Sequence, residues 1–383
     1  MKRCVTYIIL LMISVVSCRK EPVIKNDMAE ISFAAPEVAM TKSILITDIK
    51  DMKSGTDELA FSVFAARYIP DTEGGVTNHE KFMSDVKVKS VDKGQTWSYD
   101  GTYHWSPGAV HKFFAVYPYY DETLDTYDLG LSFGINEEKH ALQMTGKHDY
   151  TRTINGTAVT TKVICTGTQV EHGVDGKPDK AVNLCTDILY GVEKYDTPYE
   201  VGEERGAIKF EMNHALAAVS FRLRNASEYK ITGIVADPIA GFKNAAEYLL
   251  LSDDGPVWST PLIDLDDPDH GHKFEVPGVS EIAAGAYYEP DGSTYWYTAL
   301  MIPQNFGAYQ MSPNFSFTVS MGQLGSKTYT LNFKDYPVNN VAEHGFAFLP
   351  GYHYIYNLNV TSKVVSCDVE VVPWIEDEPI KLN

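Results

Sequence analysis

Apolar and polar residues alternate with a period of two along most of the chain. Phe61, Val63 and Ala65 alternate through FSVFAARY, and Val86 and Val88 face away from Lys87 and Lys89. Val219, Phe221 and Leu223 oppose Ser220, Arg222 and Arg224, and Phe317, Val319 and Met321 repeat the pattern. It returns in Tyr329, Leu331 and Phe333, in Tyr354, Tyr356, Leu358 and Val360, and finally in Val365, Cys367, Val369 and Val371 against Ser366, Asp368 and Glu370. Such spacing puts apolar side chains on one face of a strand, and many short strands between turn-rich stretches predict β-sandwiches. Helical spacing is confined to short stretches such as Asn244 to Leu250. The expected fold class is all-β. No fixed-period repeat is present, which argues against a solenoid or propeller.

The alternation breaks between Tyr195 and Gly206, where YDTPYEVGEERG is charged and carries Pro198 and two glycines. That composition predicts a linker between domains spanning 18–205 and 206–383. A chain of 383 residues is also long for one core and suits two domains.

Ahead of the first strand, Lys2 and Arg3 precede a mostly apolar run from Cys4 to Ser17. A spanning helix needs about 20 apolar residues, so this run is too short to cross a bilayer. A basic start, an apolar middle and a small residue before the cut predict a signal peptide over 1–17. Val15, Val16, Ser17 and Cys18 look like a bacterial lipobox, in which Cys18 becomes an acylated mature N-terminus. The alternative is an ordinary signal peptide that happens to contain a cysteine. Each buried methylene contributes roughly 0.8 kcal/mol, so two or three acyl chains on Cys18 would hold the protein on an outer-membrane lipid surface.

The formal net charge is −19, and it becomes more negative once Lys2 and Arg3 are removed. So acidic a chain repels phosphate backbones, which argues against a nucleic-acid partner. Aromatics make up 12% of the residues, with 24 Tyr, beside 19 Pro and 28 Gly; that mixture suits strands and turns. Export permits disulfides, and Cys165 with Cys185 is the candidate pair. Cys367 falls on an inward strand face, where a buried free thiol is expected. No Cys/His cluster has zinc-like spacing, so no metal or cofactor is expected.

Several motifs invite a catalytic or binding reading. GLSFG at 130–134 matches G-x-S-x-G, but the polar DETLDTYD before it supplies no buried strand to support a nucleophile elbow at Ser132. DLDDPDHGHKFE, from Asp264 to Glu275, places carboxylates as an EF-hand would, yet Pro268 and Asp269 occupy positions that need other residues. His270 and His272 have no third convergent ligand. Trp97 and Trp105 beside Tyr99 and Tyr103, and Trp296 between Tyr295 and Tyr297, could form a glycan-stacking platform or a packed core. Their alternating surroundings favour the core. No catalytic residue is assigned.

Taken in order, ISFAAPEVAMTKS, FSVFAARY, WSYDGTYHWSPGAVHKFFAVYPYY, DILYG, FEMNHALAAVSFRLRN, MIPQ, PGYHYIYNLNV and VEVVPW resemble the fimbrillin family of Bacteroidetes, in its Mfa-like branch of lipoprotein pilins. The resemblance covers nearly the whole mature chain. It implies two transthyretin-like β-sandwich domains in tandem and a non-enzymatic role in surface fimbriae, with other fimbrillin subunits as partners. It also implies a removable first strand at about 30–42, released by a trypsin-like cut after Lys42. Many relatives carry arginine where Lys42 stands, so an arginine-specific protease would not cut here.

Strand removal leaves unpaired backbone and an apolar groove, a template for an incoming strand. The donor expected here is the segment at about 364–374, with Val365, Cys367, Val369 and Val371 facing inward. Burial contributes roughly 1.5 to 3 kcal/mol per such side chain. A donor and an acceptor on different faces polymerise head to tail. If Lys42 is only an exposed loop lysine, the protein would instead be a lipid-held anchor, tip or accessory subunit. A second class, an outer-surface glycan-binding lipoprotein, shares the all-β, acidic and aromatic-rich character. A host or bacterial surface ligand is a further expected partner.

Overall fold

The computed structural model describes residues 28–38, 53–54, 58–70, 76–119, 132–136, 141–146, 148–154, 156–174, 176–259, 273–306, 313–336 and 347–373. The protein is all-β: strands dominate, and the helical elements among these residues are single 3-10 turns such as Gly322–Leu324 and Phe333–Asp335. No helix of the described residues is long and apolar enough to cross a membrane.

The first sheet runs, in spatial order, Glu37–Val38, Glu211–His214, Leu189–Tyr195, Val110–Tyr117, Glu58–Pro70, Val76–Ser90 and Ser98–Tyr99. Its inward residues come from the predicted alternation: Phe61, Val63 and Ala65 are buried with Val86, Val88, Phe113, Ala115 and Met212. The Glu58–Pro70 and Val76–Ser90 pair slips register between Val63 and Ala65, and Asp85 turns at φ 52° beside that bulge, an irregularity that re-aims side chains rather than ending the ladder. Gly191 is required by crowding, since a Cβ there would lie 2.9 Å from Phe210 Cβ and 3.0 Å from the Glu211 carbonyl oxygen.

The second sheet runs Tyr287–Tyr288, Ala217–Asn225, Tyr352–Val360 and Val365–Pro373, with Tyr297–Met301 also paired to Ala217–Asn225. Ala217–Asn225 and Tyr352–Val360 are parallel, while Val365–Pro373 returns antiparallel as a hairpin. Facing it, Gly233–Ala236, Asn314–Ser320 and Ser326–Asn332 form a three-stranded layer. Between them lies an aromatic core in which Phe221 meets Phe315 at 5.1 Å and Phe333 meets Tyr356 at 5.0 Å.

A third sheet joins the halves. Ser132–Asn136 and Ala141–Thr145 continue into Tyr248–Ser252 and Gly255–Trp258. Leu142, Met144, Leu249 and Leu251 pack in one cluster with Phe64, Phe114 and Val116 of the first sheet and Leu216, Ala218, Leu300 and Ile302 of the second half. Lys112, nearly buried, is ion-paired to Asp253 across this seam.

One expectation changes. The stretch from Asn244 to Leu250 is not helical: Ala245–Ala246 pairs with Ile164 and Cys165, and Tyr248–Ser252 pairs with Ala141–Thr145. Helix propensity in this Ala/Leu stretch is a weak preference, and the long-range pairing overrides it. Within the stretch YDTPYEVGEERG, Tyr199 is buried in the first core, as are Ile208, Phe210 and Met212 beyond it.

Candidate functional site

The site is built around the leading segment, residues 28–38. It lies between two other stretches, antiparallel to 103–105 and parallel to 208–212. The Ile31 amide donates to the Tyr103 carbonyl (2.8 Å), and the Trp105 amide donates to that of Ala29 (3.0 Å). On the other side Ile208 donates to Ser32 (2.8 Å), Ala34 to Ile208 (2.8 Å) and Glu37 to Phe210 (2.8 Å). Side chains add to this: Tyr199 Oη accepts from the Ala29 amide at 2.8 Å, Tyr99 Oη donates to the Ile31 carbonyl at 2.5 Å, and Glu37 is ion-paired to Lys209.

Its side chains alternate. Ile31 is 0% and Phe33 6% exposed, while Ser32 between them is exposed. The Phe33 ring stands edge-on to Tyr99 (5.5 Å) and Phe113 (6.5 Å) and stacks on Phe210 (6.1 Å). The segment therefore closes the first core. Lifting it out would open a groove floored by Phe61, Phe113 and Phe210.

One end of that groove is held by a residue the sequence did not single out. Arg205 lies over Trp105 (4.7 Å), Tyr195 (5.2 Å) and Tyr199 (5.4 Å), with its side chain 5% exposed. Its Nη2 donates to the Thr197 carbonyl at 3.0 Å. Trp105 and Tyr199 are the two residues that bond Ala29, so Arg205 fixes the wall where the leading segment enters. In the sequence it reads as one charge in a polar linker; the tyrosines at 195 and 199 upstream of it were the available signal.

The expected donor residues lie in the terminal strand, Val365–Pro373, at the edge of the second sheet. The ladder runs from Val360↔Val365 to Tyr352↔Pro373. Val365, Cys367, Val369 and Val371 point toward the second core but are only half-buried. The Cys367 thiol is free, and burial followed by the nearby Asp368 pushes it up to about 12. Cys165 and Cys185 are both buried and not joined in a disulfide, and burial, then Asp187, then Cys165 raise the Cys185 thiol. Cys18 and Lys42 lie outside the described residues.

The other motifs do not assemble into chemistry. Ser132 begins strand Ser132–Asn136 and is followed in the sheet by Ala141–Thr145 rather than by a helix. His270 and His272, with residues 264–272 of the acidic loop, lie outside the described residues. Among the described residues no three His, Cys, Asp or Glu converge as a metal site. Trp105 and Trp296 are buried, and Trp97 packs on Phe61 at 5.2 Å. The structure does contain a serine–histidine contact, Ser220 Oγ to His353 Nε2 at 2.8 Å. Ser220 is fully buried, so no substrate reaches it. Burial, with the Arg222 charge, lowers His353 to about 4.

A fimbrillin-like family model matches residues 53–374. No curated protein matches. Among solved structures, a fimbrial protein from Bacteroides vulgatus is similar at 13% identity, covering 90% of this chain and 99% of that one, with a TM-score of 0.45. A fimbrial assembly protein from Parabacteroides distasonis has 11% identity, 83% and 100% coverage and a TM-score of 0.32. The C-terminally truncated tip fimbrial protein Mfa3 from Porphyromonas gingivalis has 10% identity, 82% and 94% coverage and a TM-score of 0.33. With its family match running from the strands of the first sheet to the end of the terminal strand, the chain belongs to the fimbrillin-like family.

Proposed function

We propose that this chain is a non-enzymatic structural subunit of a cell-surface fimbria, exported as a lipoprotein on Cys18 and joined to its neighbours by strand exchange in the first sandwich. The observation that carries the reading is the leading segment: a short stretch, separable by one cut at its C-terminal side, that buries Ile31 and Phe33 in the first core and packs Ala29 against it. A cut after Lys42 would free it from the rest of the chain. The emptied groove would expose aromatic side chains and unpaired backbone on both flanks, which an incoming strand relieves.

The donor in this reading is the C-terminal segment of a neighbouring subunit. If the whole terminal strand peeled away, Val365, Cys367, Val369 and Val371 would be the side chains carried across. Their half-buried state at a sheet edge makes that detachment less costly than extracting a central strand. A donor on one sandwich and an acceptor on the other give an open head-to-tail chain. Adhesion to a host or bacterial surface would follow from display on such a filament.

The test combines intact mass and assembly state. Protein from the cell surface is expected to begin at Ser43, and trypsin-treated protein is expected to form filaments by electron microscopy. A surface form still beginning at acylated Cys18, together with trypsin-treated protein that stays monomeric at high concentration, rules the reading out.

A further inference from the structure

The outward face of the second sheet carries a row of four side chains on four adjacent strands. Leu223 pairs with Tyr288 and with Leu358, and Leu358 pairs with Cys367; all four pack toward the second core. The adjacent residue on each strand therefore points out, and Tyr287, Arg224, Asn359 and Ser366 stand side by side in register. Neighbouring strands lie about 4.8 Å apart, so the line from Arg224 to Ser366 is about 10 Å long.

This row is open where its neighbours are closed. Arg222, two residues before Arg224, pairs with Glu370 at 3.2 Å, and the Asn357 amide donates to Asp368 at 3.0 Å. Among the described residues Arg224, Asn359 and Ser366 have no such partner; Arg224 is exposed and meets only the Tyr287 ring, 5.4 Å from its centroid. Arg67, Arg205 and Arg222 are each paired with a carboxylate. In a chain with 51 acidic residues against 32 basic ones, Arg224 therefore offers a positive charge that none of the described carboxylates takes up. Tyr287 is also the most exposed aromatic side chain among the described residues, at 56%, whereas Trp105 and Trp296 are buried.

We propose that this row binds an acidic sugar, a hexuronate unit of a surface polysaccharide, with its carboxylate on Arg224 and its hydroxyls on Asn359 and Ser366. This names the ligand class for the adhesion in the reading above, and it rests on surface display rather than on strand exchange. A guanidinium presents parallel N–H donors that match the two oxygens of a carboxylate. A primary amide both donates and accepts, as does a hydroxyl, which suits the neighbouring hydroxyls of a sugar ring. The Tyr287 ring holds the guanidinium plane through a cation–π contact, so Arg224 loses less freedom when the ligand arrives.

The experiment measures binding of the full-length protein, without trypsin treatment, to oligosaccharides of galacturonate, glucuronate and mannuronate and to their methyl esters. At least one acid is expected to bind, and its ester at least about tenfold more weakly. Arg224→Ala should lose about the same factor toward the acid and leave the ester unchanged, and Arg224→Lys should recover only part. Urea midpoints of both variants should match that of the parent, because the side chain lies outside the core. Binding of no acid, equal binding of acid and ester, or undiminished binding by Arg224→Ala overturns the site. Filaments of trypsin-treated protein seen beside any of those results leave strand exchange standing, whereas protein that added protease cannot reach on intact cells overturns the surface display on which both rest.

Discussion

The two larger sheets end in edge elements of opposite design. The leading segment of the first buries its side chains almost completely, with Ile31 0% and Phe33 6% exposed, but it is short and makes few backbone bonds. The terminal strand of the second has a long unbroken ladder and half-buried side chains. Side-chain burial sets what an empty place costs, because exposed apolar area scales with free energy. Ladder hydrogen bonds exchange for bonds to water at a small net difference. The first place is therefore the one that demands refilling, while the second can fray at little cost.

The largest expected effect breaks or upholds that contrast directly. In the unprocessed chain, Phe33→Ala should lower stability by about 3–5 kcal/mol, whereas Val369→Ala should cost only about 1 kcal/mol for half the burial. Denaturant unfolding of both variants measures the difference, and equal losses would abolish the distinction.

Acid should weaken both halves of the chain alike. Burial lowers His111 in the first and His353 in the second to about 4, with Arg205 and Arg67 adding to the effect on His111. Their unfolded value is near 6.5, so each contribution is fully present above that pH and is lost as pH falls toward 4. The loss should be on the order of 1–3 kcal/mol per histidine. Urea midpoints at pH 7, 5.5 and 4.5 report it, and His353→Asn should flatten the slope; an unchanged slope would remove this histidine from the account.

Arg205→Ala should destabilise the first core alone, by about 1–2 kcal/mol through three lost ring contacts, with Arg205→Lys recovering only part. Local hydrogen exchange around Trp105 and Tyr199 distinguishes this from a general loss. The smallest effect belongs to the exposed hydroxyl pairs on the three-stranded layer facing the second sheet, such as Thr318 with Thr328 at 2.8 Å. Thr328→Val should stay within about 0.5 kcal/mol in thermal unfolding.

Strands were the most legible part of the chain, because a period of two survives without knowledge of the partner. Val86 and Val88 are buried and Lys87 and Lys89 are not, as their alternation requires. The leading segment was legible through the family resemblance, which implies a first strand at about 30–42. The stretch from Asn244 to Leu250 was misread because its helix-forming residues are local information, whereas its partner Ala141–Thr145 lies about a hundred residues away in sequence. Arg205 was invisible for a related reason: a guanidinium between three rings is a tertiary arrangement, and in sequence it sits among glutamates and glycines that read as solvent-facing.

The seam sheet, in which Ala141–Thr145 pairs with Tyr248–Ser252, carries a mechanical consequence. In the strand-exchanged filament proposed above, tension would enter one half and leave through the other, crossing a region where strands from both halves share one ladder and one apolar cluster. Each subunit would then behave as a stiff rod. Bending under fluid drag would concentrate at the junctions between successive rods.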